Sequence, residues 1–234
     1  MRVTNSFYSA IEDLIALFYP NTCIICGDNL LKKEECICTL CLYKLPKTDC
    51  FKQQENSVSK LFWGRVRLQN TGALYQFHKD GGLQKLIHEL KYKRGKDVGV
   101  FLGKQLGYAL KESSYFRNID YIFPIPLHPK KEKLRGYNQS KYIAKGIQEI
   151  LQVKINTRSL IRVENTDSQT RKKRFSRWEN MMNSFALKKT KQLKYAHILL
   201  IDDVVTTGAT LEACAQKLLE IEGVRVSIAT IAVA

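Results

Sequence analysis

Apolar residues along the chain alternate between two spacings. Residues 68–77, 119–127, 157–163 and 195–202 carry branched and aromatic side chains in short runs bounded by turn formers, and these read as strands. Residues 9–18, 80–90, 98–110, roughly 140–151, and 211–219 repeat apolar positions at helical spacing, with Leu83, Leu86, Ile87 and Leu90 on one face of the second. Strands and helices taking turns predict an α/β fold, a mostly parallel sheet flanked by helices. Pro124 and Pro126 mark the end of the second strand, since proline cannot continue a ladder.

One stretch, residues 198–210, is far more specific than the rest. Ile198-Leu199-Leu200-Ile201 predicts a strand buried on both faces. It ends in Asp202-Asp203, and after Val204 and Val205 come Thr206, Thr207, Gly208, Ala209 and Thr210, rich in hydroxyl and backbone N–H donors. A helix follows. A donor-rich loop at a helix N-terminus holds a phosphate dianion, and carboxylates accept hydrogen bonds from sugar hydroxyls. A simple helix cap at Thr207 or Thr210 explains one threonine but not a doubled acid at a strand end. A receiver domain also carries such acids, yet there the pair comes early, and here one helix and one strand remain. The string resembles the phosphoribosyl pyrophosphate motif of type I phosphoribosyltransferases. That resemblance implies that Asp202 and Asp203 hold the ribose 2′- and 3′-hydroxyls, and that Val205, Thr206, Thr207, Gly208, Ala209 and Thr210 line the phosphoribosyl site, the threonine-rich loop around the 5′-phosphate.

Cysteine usage adds a second centre. Six of the seven cysteines lie between Cys23 and Cys50, including Cys23-Ile24-Ile25-Cys26-Gly27 and Cys38-Thr39-Leu40-Cys41. Two C-x-x-C knuckles a dozen residues apart suit a tetrahedral zinc site, with Cys23, Cys26, Cys38 and Cys41 as ligands. Cys36 or Cys50 would substitute if Cys38 points away. A redox C-x-x-C and disulfides are the alternatives; the first normally stands alone, and the second conflicts with a reducing compartment. Cys214 reads as an ordinary buried thiol. Residues 1–55 are expected to form a helix and zinc-knuckle module, and residues 56–234 the main domain.

Charge changes the picture of partners. Lys and Arg number 38 against 22 Asp and Glu, a net charge of +16. This favours polyanions, nucleic acid or phosphate-rich ligands. No stretch approaches the roughly 18 apolar residues of a membrane span, and the N-terminal segment is a poor signal peptide, so a cytoplasmic location is expected. Basic residues gather in 91–96, in a loop over 128–139 and in 166–180. At the carboxyl end of a parallel strand, Lys133, Arg135 and Gly136 are placed to meet a pyrophosphate, and with Asp202 and Asp203 Arg135 completes the candidate catalytic set. The segment carrying Arg174 and Arg177 reads as a lid over that leaving group or as a solvated surface. Tyr137, Phe175 and Trp178 offer rings on which single-stranded bases stack.

Together these pieces resemble the ComF family of competence-related proteins. The residues that carry the likeness are the cysteine knuckles, Ile87-His88-Glu89-Leu90-Lys91-Tyr92, Pro124-Ile125-Pro126-Leu127, Arg135-Gly136-Tyr137-Asn138-Gln139-Ser140, Thr166 with Gln169, Arg177 and Asn180, and the acid-pair motif. The resemblance implies a type I phosphoribosyltransferase fold behind an N-terminal zinc module, structural Zn2+, Mg2+ accompanying phosphoribosyl pyrophosphate, and a role in natural transformation. Expected partners are phosphoribosyl pyrophosphate, single-stranded DNA and a DNA-uptake helicase. The competing expectation is an active transferase moving the phosphoribosyl group to an unidentified nitrogen acceptor.

Overall fold

The computed structural model describes residues 21–92, 95–163 and 184–234. In chain order the elements are α1 (Thr39–Tyr43), α2 (Ser57–Lys60), β1 (Thr71–Gln76), α3 (Gly82–Lys91), α4 (Gly95–Glu112), β2 (Tyr121–Pro124), α5 (Pro129–Arg135), α6 (Gln139–Leu151), β3 (Lys154–Ile155), β4 (Leu160–Arg162), β5 (Phe185–Leu187), β6 (His197–Val205), α7 (Ala209–Leu219) and β7 (Arg225–Val233). The helix expected over residues 9–18 and the basic segment with Arg174, Phe175, Arg177 and Trp178 lie outside the described residues.

Five strands form one parallel sheet in the order β1-β7-β6-β2-β3. The two longest, β6 and β7, sit in the middle, where both faces are covered. Alternation of side chains across a strand sorts β6 cleanly. Leu199 and Ile201 point to one layer with Leu86, Leu90, Leu102, Leu106, Ile143 and Ile147 of α3, α4 and α6. Ile198 and Leu200 point to the other, with Leu211, Cys214 and Leu218 of α7 and with Phe62, Leu160 and Phe185. All four β6 residues are fully buried, as the uninterrupted apolar run predicts. Cys214 is likewise buried. Helices α4 and α6 approach closely because Gly103 and Gly146 face each other: a Cβ on Gly146 would lie 2.1 Å from the Val100 carbonyl. The cysteine segment joins the first layer, Cys23, Ile37, Cys41 and Leu45 packing in the same core as Leu74 and Tyr75.

Three expectations need correction. The basic stretch 128–139 is not simply a loop; residues 129–135 form α5, opened by Pro129 at its first turn and by the His128 Nδ1, which accepts from the Lys130 N–H at 3.2 Å. None of its residues is buried, so no apolar period announces it. The strand expected over 157–163 is only β4, and it pairs antiparallel with β5 apart from the main sheet. The sheet edge is instead the two-residue β3. Strand β6 also runs past the acid pair to Val205, because β7 continues to pair with it through Val233.

Candidate functional site

The carboxyl ends of β6 and β2 lie side by side in the parallel sheet, so the chain leaving each strand emerges at the same edge. Asp202 and Asp203 stand near that end of β6, both partly buried. The Asp203 N–H donates to Asp202 Oδ1 at 2.9 Å, and the Val204 N–H donates to Asp203 Oδ1 at 2.8 Å, which turns both carboxylates towards their own backbone. From β2 the chain passes through α5 into α6. Asn138 caps α6 by accepting from the Ser140 N–H and donates to the Ile125 carbonyl at 2.9 Å, tying the turn to the end of β2. Tyr137 donates its hydroxyl to the Leu90 carbonyl at 2.6 Å, docking the same turn on α3.

This docking brings new groups to the acid pair. The Ser140 hydroxyl donates to Asp202 Oδ1 at 3.0 Å. Lys91 Nζ stands 3.7 Å from Asp203 Oδ2. Gln139 is buried, and its Nε2 has no hydrogen-bond partner among the described residues. The family-like string Arg135–Ser140 therefore does its local work through Tyr137, Asn138 and Ser140. Lys133 and Arg135 lie in the last turn of α5, with Gly136 as its left-handed cap at φ 76°. Burial, and then the adjacent Asp203 charge, push the Asp202 carboxyl up to about 7; the Asp203 N–H, the Ser140 hydroxyl and Lys91 oppose this without cancelling it.

Beyond β6 the loop 206–210 enters α7. The helix N-cap is Gly208, at φ 73°, and no side chain caps it. The Thr207 hydroxyl lies only 3.5 Å from the Ala209 N–H, and Thr206 and Thr207 are exposed. Apart from this long hydrogen bond, which the Ala209 N–H donates to the Thr207 hydroxyl, the N-cap Gly208 supplies no side-chain cap to α7, an arrangement that suits an anion. Gly208 is required here twice, by its positive φ and by the Phe62 ring, which a Cβ would meet at 2.8 Å. Val205 packs its side chain into the core. A cavity of about 710 Å3 between residues 47–52, Tyr75 and the second half of α4 shares no residue with this site.

The second cluster is equally compact. The sulfur atoms of Cys23, Cys26, Cys38 and Cys41 all lie within 4.8 Å of one another. Cys26 Sγ and Cys38 Sγ are 3.8 Å apart, and four sulfurs placed tetrahedrally at about 2.3 Å from zinc are about 3.8 Å apart. The Cys38 N–H donates to Cys23 Sγ at 3.3 Å, and the Gly27 N–H closes the first knuckle on the Cys23 carbonyl at 2.9 Å. Burial raises the Cys23 thiol, but backbone N–H groups of Cys26, Cys38 and Ile25 outweigh it and bring the thiol down to about 6. The set fits a metal ion. Cys36 and Cys50 stand outside it, Cys50 Sγ lying 3.6 Å from the Ser57 hydroxyl.

Sequence reasoning quoted Ser140 and Lys91 within strings but assigned them no role, and it passed over Arg65 and Glu212. Glu212, nearly enclosed in the first turn of α7, pairs with Arg65. Its signal in the sequence was an acidic residue on the apolar side of a helix.

The profile of the family described as Phosphoribosyl transferase domain matches residues 139–234. The DNA utilization protein YhgH of Salmonella typhimurium is 30% identical over 140 residues, 58% of this chain and 61% of that one. Competence protein F of Haemophilus influenzae is 27% identical over 58% of this chain and 61% of its own length. Competence protein ComFC of Bacillus subtilis is 27% identical over 203 residues, 82% of this chain and 81% of that protein. The alignments to the first two relatives thus span less than two thirds of their length. With the parallel sheet and the acid pair at its carboxyl edge, these matches show a chain that is similar to ComF-type competence and DNA utilization proteins and that carries a phosphoribosyltransferase-domain match over residues 139–234.

Proposed function

We propose that the chain binds phosphoribosyl pyrophosphate with Mg2+ at the carboxyl edge of β6 and acts in DNA uptake, with single-stranded DNA and a DNA-uptake helicase as its partners in the cytoplasm. The observation that carries this reading is the juxtaposition of two partly buried carboxylates with an exposed threonine pair that leads into a helix whose N-cap glycine offers no side-chain cap. The carboxylates accept the ribose hydroxyls, and the loop 206–210 takes the 5′-phosphate. Lys133 and Arg135 on α5, with Arg174 and Arg177 from outside the described residues, neutralise the pyrophosphate. The net charge of +16 and the names of the relatives support the DNA role. Among the described residues no helix is long and apolar enough to cross a membrane.

In this reading residues 1–55 are a structural zinc module and residues 56–234 the phosphoribosyl domain. Zn2+ on Cys23, Cys26, Cys38 and Cys41 replaces the core that so short a segment cannot build.

Titration calorimetry with phosphoribosyl pyrophosphate and Mg2+ tests the site. The wild type binds, and Asp202→Ala with Asp203→Ala abolishes binding while the circular dichroism spectrum is unchanged. Equal affinity of the two proteins overturns the assignment. Release of pyrophosphate in the same mixture, with and without single-stranded DNA, separates a transferase from a binding protein.

A further inference from the structure

The loop that precedes α7 does not hold its shape alone. Arg65, from the segment between the cysteine module and β1, reaches it across the fold. One guanidinium nitrogen, Nη1, donates to the Thr207 carbonyl at 2.9 Å and to the Leu61 carbonyl at 2.7 Å. The other, Nη2, pairs with the Glu212 carboxylate. The Gln216 amide bridges the Arg65 carbonyl at 3.1 Å and Glu212 Oε1 at 3.4 Å. The segment that presents Arg65 is itself anchored. Asn56 caps α2 and donates to the carbonyls of Cys50 and Thr71, and Phe62 packs its ring against Gly208.

Glu212 poses an electrostatic problem that Arg65 solves. Its side chain is only 4% exposed, and a carboxylate so enclosed must be paired. It also sits in the first turn of α7, where a negative charge takes up the positive end of the helix and repels any other anion there. A phosphate dianion brought to the loop 206–210 competes with that carboxylate for the same helix terminus. Arg65 cancels the charge while pulling the Thr207 carbonyl away from the anion, so that N–H groups rather than C=O groups face it.

We propose that Arg65 is a positioning residue of the phosphate loop: by neutralising Glu212 and holding the Thr207 carbonyl, it makes the N-terminus of α7 receptive to a phosphate dianion. This inference rests on the reading of residues 206–210 as the 5′-phosphate cradle. The same contacts link the segment that follows the cysteine module to the ligand.

The test is calorimetric binding of phosphoribosyl pyrophosphate and of ribose 5-phosphate to the full chain and to Arg65→Met, Arg65→Lys, Glu212→Gln and the double variant Arg65→Met with Glu212→Gln. Arg65→Met should weaken both ligands by about tenfold or more. The double variant should recover most of that loss, because no charge is left to repel the phosphate. Arg65→Lys, which keeps the charge but cannot fork between three acceptors, should fall between. A merely structural role lowers melting temperature and affinity together, and removing a second polar partner does not rescue affinity. Unchanged affinity in Arg65→Met, or no recovery in the double variant, overturns the inference. If Arg65→Met fails to fold, an Arg65→Lys that binds as tightly as wild type overturns it. Failure of the wild type to bind either ligand instead removes the phosphoribosyl reading itself.

Discussion

Replacing Asp202 by Asn should stabilise the ligand-free protein at neutral and alkaline pH while destroying the site. The carboxyl titrates near 3.8 when exposed, and burial together with Asp203 raises it to about 7 in the fold. Folding therefore takes up a proton between those values, and the folded state loses stability as pH rises through that window. A span of about 3 pH units at about 1.4 kcal/mol each sets a ceiling near 4 kcal/mol, and water reaching the half-buried group reduces this to about 2 kcal/mol. Asparagine keeps the acceptor for the Ser140 hydroxyl and the Asp203 N–H and removes the charge beside Asp203. For a chain of this size about 2 kcal/mol corresponds to about 4–8 °C in melting temperature. Thermal unfolding of both proteins at pH 5, 6, 7 and 8, without added Mg2+, reads the effect. The variant should be the more stable throughout, with a difference that grows from pH 5 to pH 7 and levels off by pH 8. His197 acts in the opposite direction: burial, and then Arg225, hold its pKa below the ordinary 6.5, so its neutral buried ring costs stability as pH falls below that value. It is common to both proteins and cancels in the difference. A constant difference between the curves across this range would refute the assignment of a charge-repelled acid pair.

Three further outcomes follow from the geometry. Metal analysis should find about one zinc per chain, and Cys23→Ser should lower both zinc content and melting temperature, because Cys23 and Cys41 share a core with Leu74 and Tyr75; a metal-free protein with an unchanged melting temperature would contradict this. Gly146→Ala should cost about 1–3 kcal/mol in denaturant unfolding, since its Cβ meets the Val100 carbonyl at 2.1 Å, and an unaltered midpoint would mean that α4 and α6 are not in such close contact. Affinity for single-stranded DNA should fall steeply with added salt; no binding at low salt would leave the excess of basic residues unconnected to nucleic acid.

Local chemistry was legible in the chain wherever the acting residues are neighbours. The buried run of β6, the acid pair, the donor-rich loop and α7 are contiguous, so strand, ligand groups and helix could be read together. The two C-x-x-C spacings are likewise local geometry, and the sulfurs meet as the spacing predicts. The tertiary structure decided everything that depends on chain reversal. Ser140 reaches Asp202 across 62 positions and Arg65 reaches Glu212 across 147, and no periodicity relates residues so far apart. Short elements escaped for a different reason. Strands β3, β4 and β5 span two or three residues, too few for alternation to show, and α5 buries none of its residues and so leaves no apolar stripe. Sequence alone determined which candidate groups stand together at the strand end and in the knuckles, because those groups are adjacent in the chain. Only the fold decided which charges surround them, because burial and Coulomb interaction depend on distance in space.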